Sequence, residues 1–203
     1  GSRAFDKTGS SLYRVNFCAA NDFSDITDFR DFRISWQDGG RRFRIIPSKG
    51  KTSAKKEWPV LYLGLSRLFP IGESDSESLQ SAELPLTDMD KEWFISNYMS
   101  VLSIKDDLQD ISNIRIGETD RKRGIGITTS SYDHLANSAG QDNVGQILCA
   151  FLSFRRLKES LGDRYSGGLI LVDEIDATLH PAAQNRLIDL VIREARSLQL
   201  QVV

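Results

Sequence analysis

Residues Leu169-Ile170-Leu171-Val172-Asp173-Glu174-Ile175-Asp176-Ala177-Thr178-Leu179-His180-Pro181 pass from four apolar side chains straight into two carboxylates. An uninterrupted apolar run of this length suits a strand buried on both faces, as in parallel sheets, and two adjacent carboxylates have no place inside one. The strand must therefore end at Asp173. The carboxyl ends of parallel strands face the ligand crevice, where a strand ending in two carboxylates can set one near Mg²⁺ and the next near an attacking water. Beyond Pro181, Leu187, Leu190, Val191, Glu194 or Ala195, and Leu198 recur at helical spacing, and Leu200-Gln201-Val202-Val203 begins another strand.

Upstream, Val144, Ile147, Leu148, Phe151, Phe154 or Arg155, and Leu157 predict a long helix that closes at Leu161-Gly162. Ser138-Ala139-Gly140-Gln141 precedes it, and Ser138 with Gln141 has capping-box spacing. The exposed N–H groups of such a start, a glycine and a hydroxyl make an anion site, although an ordinary helix cap needs the same residues.

Taken together, Ser138-Ala139-Gly140-Gln141, Val172-Asp173-Glu174 and Asp176-Ala177-Thr178-Leu179-His180-Pro181 resemble the signature, Walker B and D-loop of ABC-type ATPase heads. The nearest resemblance is to the branch that holds RecF, SMC/Rad50 and OLD-like proteins, including Septu-type antiphage ATPases. It covers about the last third of the chain. The resemblance implies that Asp173 holds Mg²⁺ through water and Glu174 polarises the hydrolytic water. It further implies that Ser138, Ala139, Gly140 and Gln141 form an ATP-binding segment in which Ser138 and Gly140 meet the γ-phosphate of ATP held by an opposing copy, and that Asp176 communicates across that interface. His180 and His134 read as structural, because a lone histidine without a base or metal partner is rarely a catalyst.

The fold class expected is α/β: an ABC head with a mostly parallel core sheet flanked by helices, an antiparallel hairpin subdomain and a small helical insertion. Residues 1–203 would form one incomplete ABC-type domain, with the hairpin at 30–46, a loop and helical insertion at 73–110, and the motif-bearing lobe at 131–203. Phe32 to Trp36 and Arg42 to Ile46 alternate around Gln37-Asp38-Gly39-Gly40. Val60 to Leu65 reads as a buried strand that Ser66-Arg67 leaves. Ser74 to Ser81 reads as an exposed loop. Thr87 with Asp90 caps a helix that buries Phe94, Tyr98, Val101 and Leu102, and a second hairpin spans Ile111 to Thr129 with its turn at Arg121 to Gly124.

The chain of 203 residues is 40% apolar with a net charge of −2, which excludes disorder and any global attraction to nucleic acid. Charge is segregated locally: Arg41 to Lys56 holds seven basic residues and no acidic one, while Glu73 to Glu92 holds seven acidic residues and one Lys. The basic segment is either a solvated face or a phosphate-contacting patch. Neither a membrane span nor a secretory signal is visible, and Cys18 and Cys149 lack metal spacing, which suggests a cytoplasmic setting.

No G-x-x-x-x-G-K-[ST] loop occurs. Gly50-Lys51-Thr52-Ser53 is only a half-match, with Ile45 where the first glycine belongs and Pro47 in between. A Q-loop glutamine is not assignable, and the family's switch histidine would fall past Val203. The expectation is a piece of a longer protein rather than a degenerate head. The function expected is an ATP-binding and hydrolysing head that dimerises around ATP and Mg²⁺ to drive a DNA-related process such as antiphage defence or repair. Its partners would be a second copy, DNA, and a nuclease subunit or domain, with no membrane. The alternative is a non-catalytic module that holds nucleic acid or a nuclease on a degenerate head fold. A transporter subunit fits less well, because Asn137-Ser138-Ala139-Gly140 departs from Leu-Ser-Gly-Gly.

Overall fold

The computed structural model describes residues 13–19, 22–37, 42–47, 58–68, 79–83, 86–116, 123–131, 133 and 136–203. Two compact units divide the chain, Gly1–Glu57 and Trp58–Val203.

The first unit is an antiparallel meander of β1 (Tyr13–Ala19), β2 (Asp22–Gln37) and β3 (Arg42–Pro47). The hairpin expected at 30–46 is thus the second half of a longer meander. The register pairs Phe32 with Pro47, Ile34 with Ile45 and Trp36 with Phe43, and in the alternate positions Arg33 with Ile46, Ser35 with Arg44 and Gln37 with Arg42. Cross-strand partners share a face, so one row of positions is apolar and the other mainly polar and basic. Arg14 and Asp31 are register partners joined by a two-pronged ion pair at 2.6 and 3.0 Å, and the Arg14 guanidinium lies over the Phe29 ring. The tip 38–41, and the half-match at Gly50 to Ser53, lie outside the described residues.

The second unit is α/β. Its parallel sheet runs β4 (Val60–Leu63), β8 (Gly168–Val172), β9 (Leu200–Val202), with Leu63 beside Val172 and Gly168 beside Leu200. An antiparallel sheet holds β5 (Leu79–Glu83), β6 (Leu108–Ile116) and β7 (Arg123–Thr129) in that order. Helices α1 (Asp88–Leu102), α2 (Ala139–Leu161) and α3 (Pro181–Ser197) complete it. No described helix is long and apolar enough to cross a membrane.

Helix α2 is the centre of the core. Val144, Ile147, Leu148, Phe151 and Phe154, at the spacing expected from the sequence, are all buried. Phe94 and Tyr98 of α1, stacked with ring centroids 5.8 Å apart, share that core with Ile170 of β8 and Leu187 and Leu190 of α3. Two glycines let strands come close to α2. A Cβ at Gly145 would lie 3.1 Å from the Ile125 Cβ of β7, and one at Gly168 would lie 2.2 Å from the Phe154 ring and 2.9 Å from the Pro59 carbonyl.

Two expectations are corrected. The run from Val60 to Leu65 is not a buried strand: Val60 is 54% and Tyr62 64% exposed, because only the alternate row, Leu61 and Leu63, turns to the core. The supposed loop from Ser74 to Ser81 contributes Leu79 to Ser81 to β5, where the edge of β6 supplies partners from Ile116 to Ile114. Long-range pairing overrides the local Ser and Glu composition there. The segment 73–110, read as loop and helix, accordingly also holds β5 and the start of β6. The second hairpin pairs β6 with β7 as expected, but Arg123 and Gly124, read as part of its turn, belong to β7, where Gly124 pairs with Ile114; residues 121 and 122 lie outside the described residues.

Candidate functional site

The Thr87 hydroxyl accepts from the Asp90 N–H at the start of α1, and the start of α2 is a complete capping box. Ser138 Oγ accepts from the Gln141 N–H at 3.3 Å, and the Gln141 side-chain oxygen accepts from the Ser138 N–H at 2.7 Å. With the Asp142 N–H bonded to the Ser138 carbonyl, the first-turn N–H groups of Ala139 and Gly140 are the two left without an acceptor inside the helix. They carry the positive end of a 23-residue helix dipole. Asn137, immediately before the cap, fixes this end to β7. Its amide donates to the Ile127 carbonyl at 3.1 Å and accepts from the Ile127 N–H at 2.9 Å.

Strand β8 ends where the sequence places its end. The Asp173 N–H still reaches across to the Leu63 carbonyl at 3.0 Å, and Glu174 then turns the chain out of the sheet in the left-handed region, φ 49°. Residues 174–179 form tight turns, Ala177 N–H to the Glu174 carbonyl and Leu179 N–H to the Asp176 carbonyl. Asp173, Glu174 and Asp176 are exposed, and the carboxylates of the first two make no hydrogen bond or ion pair among the described residues. His180 ends the loop as the N-cap of α3, its Nδ1 accepting from the Ala182 N–H at 3.2 Å, with Pro181 in the first helical position. Its role is the structural one expected. His134 lies outside the described residues.

The signature-like segment and the turn touch directly. A Cβ on Gly140 would come within 2.6 Å of the Thr178 carbonyl oxygen, so the glycine is required by the packing of the turn on the helix. Two stretches of sequence, 138–140 and 173–178, are thus brought together at the carboxyl end of a parallel strand through the contact of Gly140 with Thr178.

Two residues that sequence reasoning passed over hold this cluster. Arg67, only 2% exposed, follows β4 in a 3₁₀ turn at Leu65–Leu68. Its Nε donates to Asn143 Oδ1 at 2.9 Å, its Nη1 to the Leu63 and Gly64 carbonyls, and its Nη2 to the Asp173 and Glu174 carbonyls. Asn143, fully buried in the first turns of α2, donates through Nδ2 to the Ala177 carbonyl at 3.0 Å and the Ile175 carbonyl at 3.4 Å. Burial lowers the Arg67 pKa while the charges of Asp173, and then of Tyr62 and Glu174, raise it; the guanidinium stays charged throughout. The available signals were an Arg directly after an apolar strand and an Asn on the apolar face of a helix.

Comparison of the chain with protein-family models, with curated proteins and with solved structures returned no match.

Proposed function

We propose that the chain belongs to an ATP-driven dimerising head of ABC type, from the branch that holds RecF, SMC/Rad50 and OLD-like proteins. One observation carries the reading: the capped start of α2, the turn at 174–179 and the Asp173-Glu174 pair are packed together at the carboxyl end of β8 with both carboxylates exposed. An exposed strand-end carboxylate suits Mg²⁺, which is usually held by one or two carboxylates together with substrate phosphates. When bound, ATP with Mg²⁺ supplies the phosphoanhydride bond to be broken and the divalent charge that offsets its oxygens.

The chain's own residues would do the following. Asp173 holds the ion through water. Glu174, one residue on, accepts a hydrogen bond from the attacking water and orients it. The Ser138 hydroxyl and the N–H groups of Ala139 and Gly140 present donors and a positive dipole end to the γ-phosphate of nucleotide held by a second copy. Asp176, at the tip of the turn beside that helix end, faces the opposing copy. By analogy with the branch, a DNA-related process such as antiphage defence or repair is the setting.

Two substitutions in the complete protein test this. Glu174→Gln keeps the shape and removes the acceptor charge, so ATP turnover should be lost while ATP is retained and the closed dimer persists. Ser138→Arg should leave nucleotide binding by a single copy intact and prevent dimerisation on ATP, read by sedimentation. An ATPase rate in Glu174→Gln equal to the parent's refutes the reading.

A further inference from the structure

A parallel strand that ends inside the molecule leaves the carbonyls of its last residues without ladder donors, and such groups must be satisfied. At the end of β8 a single side chain does this. Arg67 has five N–H donors in a rigid fork, and all five are used, each on a neutral acceptor: Asn143 Oδ1 and the carbonyls of Leu63, Gly64, Asp173 and Glu174. The Glu174 peptide is thus fastened by its carbonyl, at 2.8 Å, to a group that is itself buried and locked. The same guanidinium grips Asn143, whose amide in turn grips the Ile175 and Ala177 carbonyls. Asn143 lies one helical turn from Gly140, against which Thr178 is packed.

We infer that Arg67 and Asn143 are positioning residues, which fix the Asp173-Glu174 turn to the start of α2 so that the carboxylate and the phosphate-facing helix end move as one body. The inference rests on the function proposed above for its catalytic consequence and on the hydrogen bonds alone for its structural one. Neither residue touches the reacting atoms; both act through the backbone of Glu174 and of the turn that follows it. A carboxylate that must orient a water tolerates little displacement, and supporting groups of this kind commonly carry about 10- to 100-fold in activity. Lysine is a poor substitute for Arg67, since one ammonium with three donors cannot serve five acceptors in a plane.

The test uses two variants of the complete protein. Arg67→Lys keeps the charge and loses the fork. Asn143→Asp keeps an acceptor for Arg67, now an ionic one, and replaces both donors to the turn by an oxygen that the Ile175 and Ala177 carbonyls repel. The first readout is amide hydrogen exchange without nucleotide: exchange at residues 174–179 should rise at least about tenfold in both variants, with α1 and β6 unchanged. The second is steady-state ATPase activity, where kcat should fall about 10- to 100-fold and KM for ATP should move less than about threefold. A general loss of structure would raise exchange everywhere and would not split kcat from KM.

If Arg67→Lys does not fold, Asn143→Asp decides alone. Parent-like exchange across 174–179 in a folded variant overturns the clamp. Locally raised exchange with parent-like kcat, in a protein whose turnover depends on Glu174, overturns the positioning role. Turnover that survives Glu174→Gln would instead refute the proposed function, and exchange would still decide whether the clamp exists.

Discussion

Gly140 faces the carbonyl oxygen of Thr178 so closely that a Cβ there would stand 2.6 Å from it. The opposing oxygen belongs to the backbone of a turn already constrained by a left-handed Thr178, φ 67°, so neither side yields cheaply. Gly140→Ala should therefore destabilise the second unit by about 1–3 kcal/mol, the usual range for overpacking. Urea unfolding measures it. Gly140 is a helical residue, so without that contact an alanine there would gain about 1 kcal/mol of helix propensity. A neutral or stabilising Gly140→Ala would mean that the helix and the turn do not touch.

The ion pair between Asp90 of α1 and Arg156 of α2, at 2.9 Å, gives a pH-dependent contribution. Burial of Asp90 raises its pKa, the hydrogen bond and charge of Arg156 together with hydrogen bonds from Thr87 lower it, and the net direction is down. A folded-state pKa below the unfolded value of about 3.9 means stability that is present above pH ~4 and lost as pH falls through the folded pKa. Arg156 is 39% exposed, so solvent screens the pair and Asp90→Asn should cost about 0.5–1 kcal/mol at pH 7. The gap between parent and variant in urea midpoint should narrow below pH 4; a gap that stays constant to pH 2 would contradict the linkage.

Burial pushes the Cys149 thiol up to about 12, with the Arg156 charge opposing. At pH 8 only about one thiol in 10,000 would then be thiolate, and the thiolate is the reactive form. Iodoacetamide at pH 8 should leave Cys149 unmodified in the folded protein and label it in urea, as peptide mapping by mass spectrometry would show. Rapid native labelling would place Cys149 in a different environment.

The register of the meander gathers basic positions on one face, which makes the nucleic-acid proposal testable. Arg33, Arg42 and Arg44 occupy positions of one face, opposite the row of Phe32, Ile34 and Trp36. If this face binds phosphates, neutralising Arg41, Arg42 and Arg44 together should weaken DNA binding and reduce the slope of log K against log salt by about 0.9 for each phosphate no longer neutralised. Titration at several salt concentrations reads it, and a slope equal to the parent's would leave these residues as a solvated face.

What the sequence disclosed follows from where local signals suffice. Periodicity and capping chemistry mark α1, α2 and α3, since Thr87, Ser138 and His180-Pro181 cap them through bonds spanning two or three residues. The end of β8 is legible because two carboxylates cannot stay in a buried strand. Pairing across long separations is not legible: Leu79 becomes strand only beside Ile116, and Val60 and Tyr62 are exposed because no described element covers their face of β4. Candidate residues were recognisable by type, Asp173, Glu174 and Ser138 among them. Arg67 and Asn143 were not, because each is an unremarkable polar residue until residues 106 and 34 positions away fold onto it.

The parallel pairing of β4 with β8 also bears on when the site comes into being. Hairpins and helix ends close short loops, whereas the Arg67 bonds to Asp173 and Glu174 require the intervening chain to be ordered first. Bonds of that separation tend to form on the native side of the folding barrier. Weakening them should speed unfolding and leave refolding nearly unchanged, so the unfolding arm of a stopped-flow chevron for Arg67→Lys should rise while the refolding arm stays in place. If so, the side chains that hold the region proposed to orient water also set the lifetime of the folded unit: they act on how fast it is lost and not on how fast it is made.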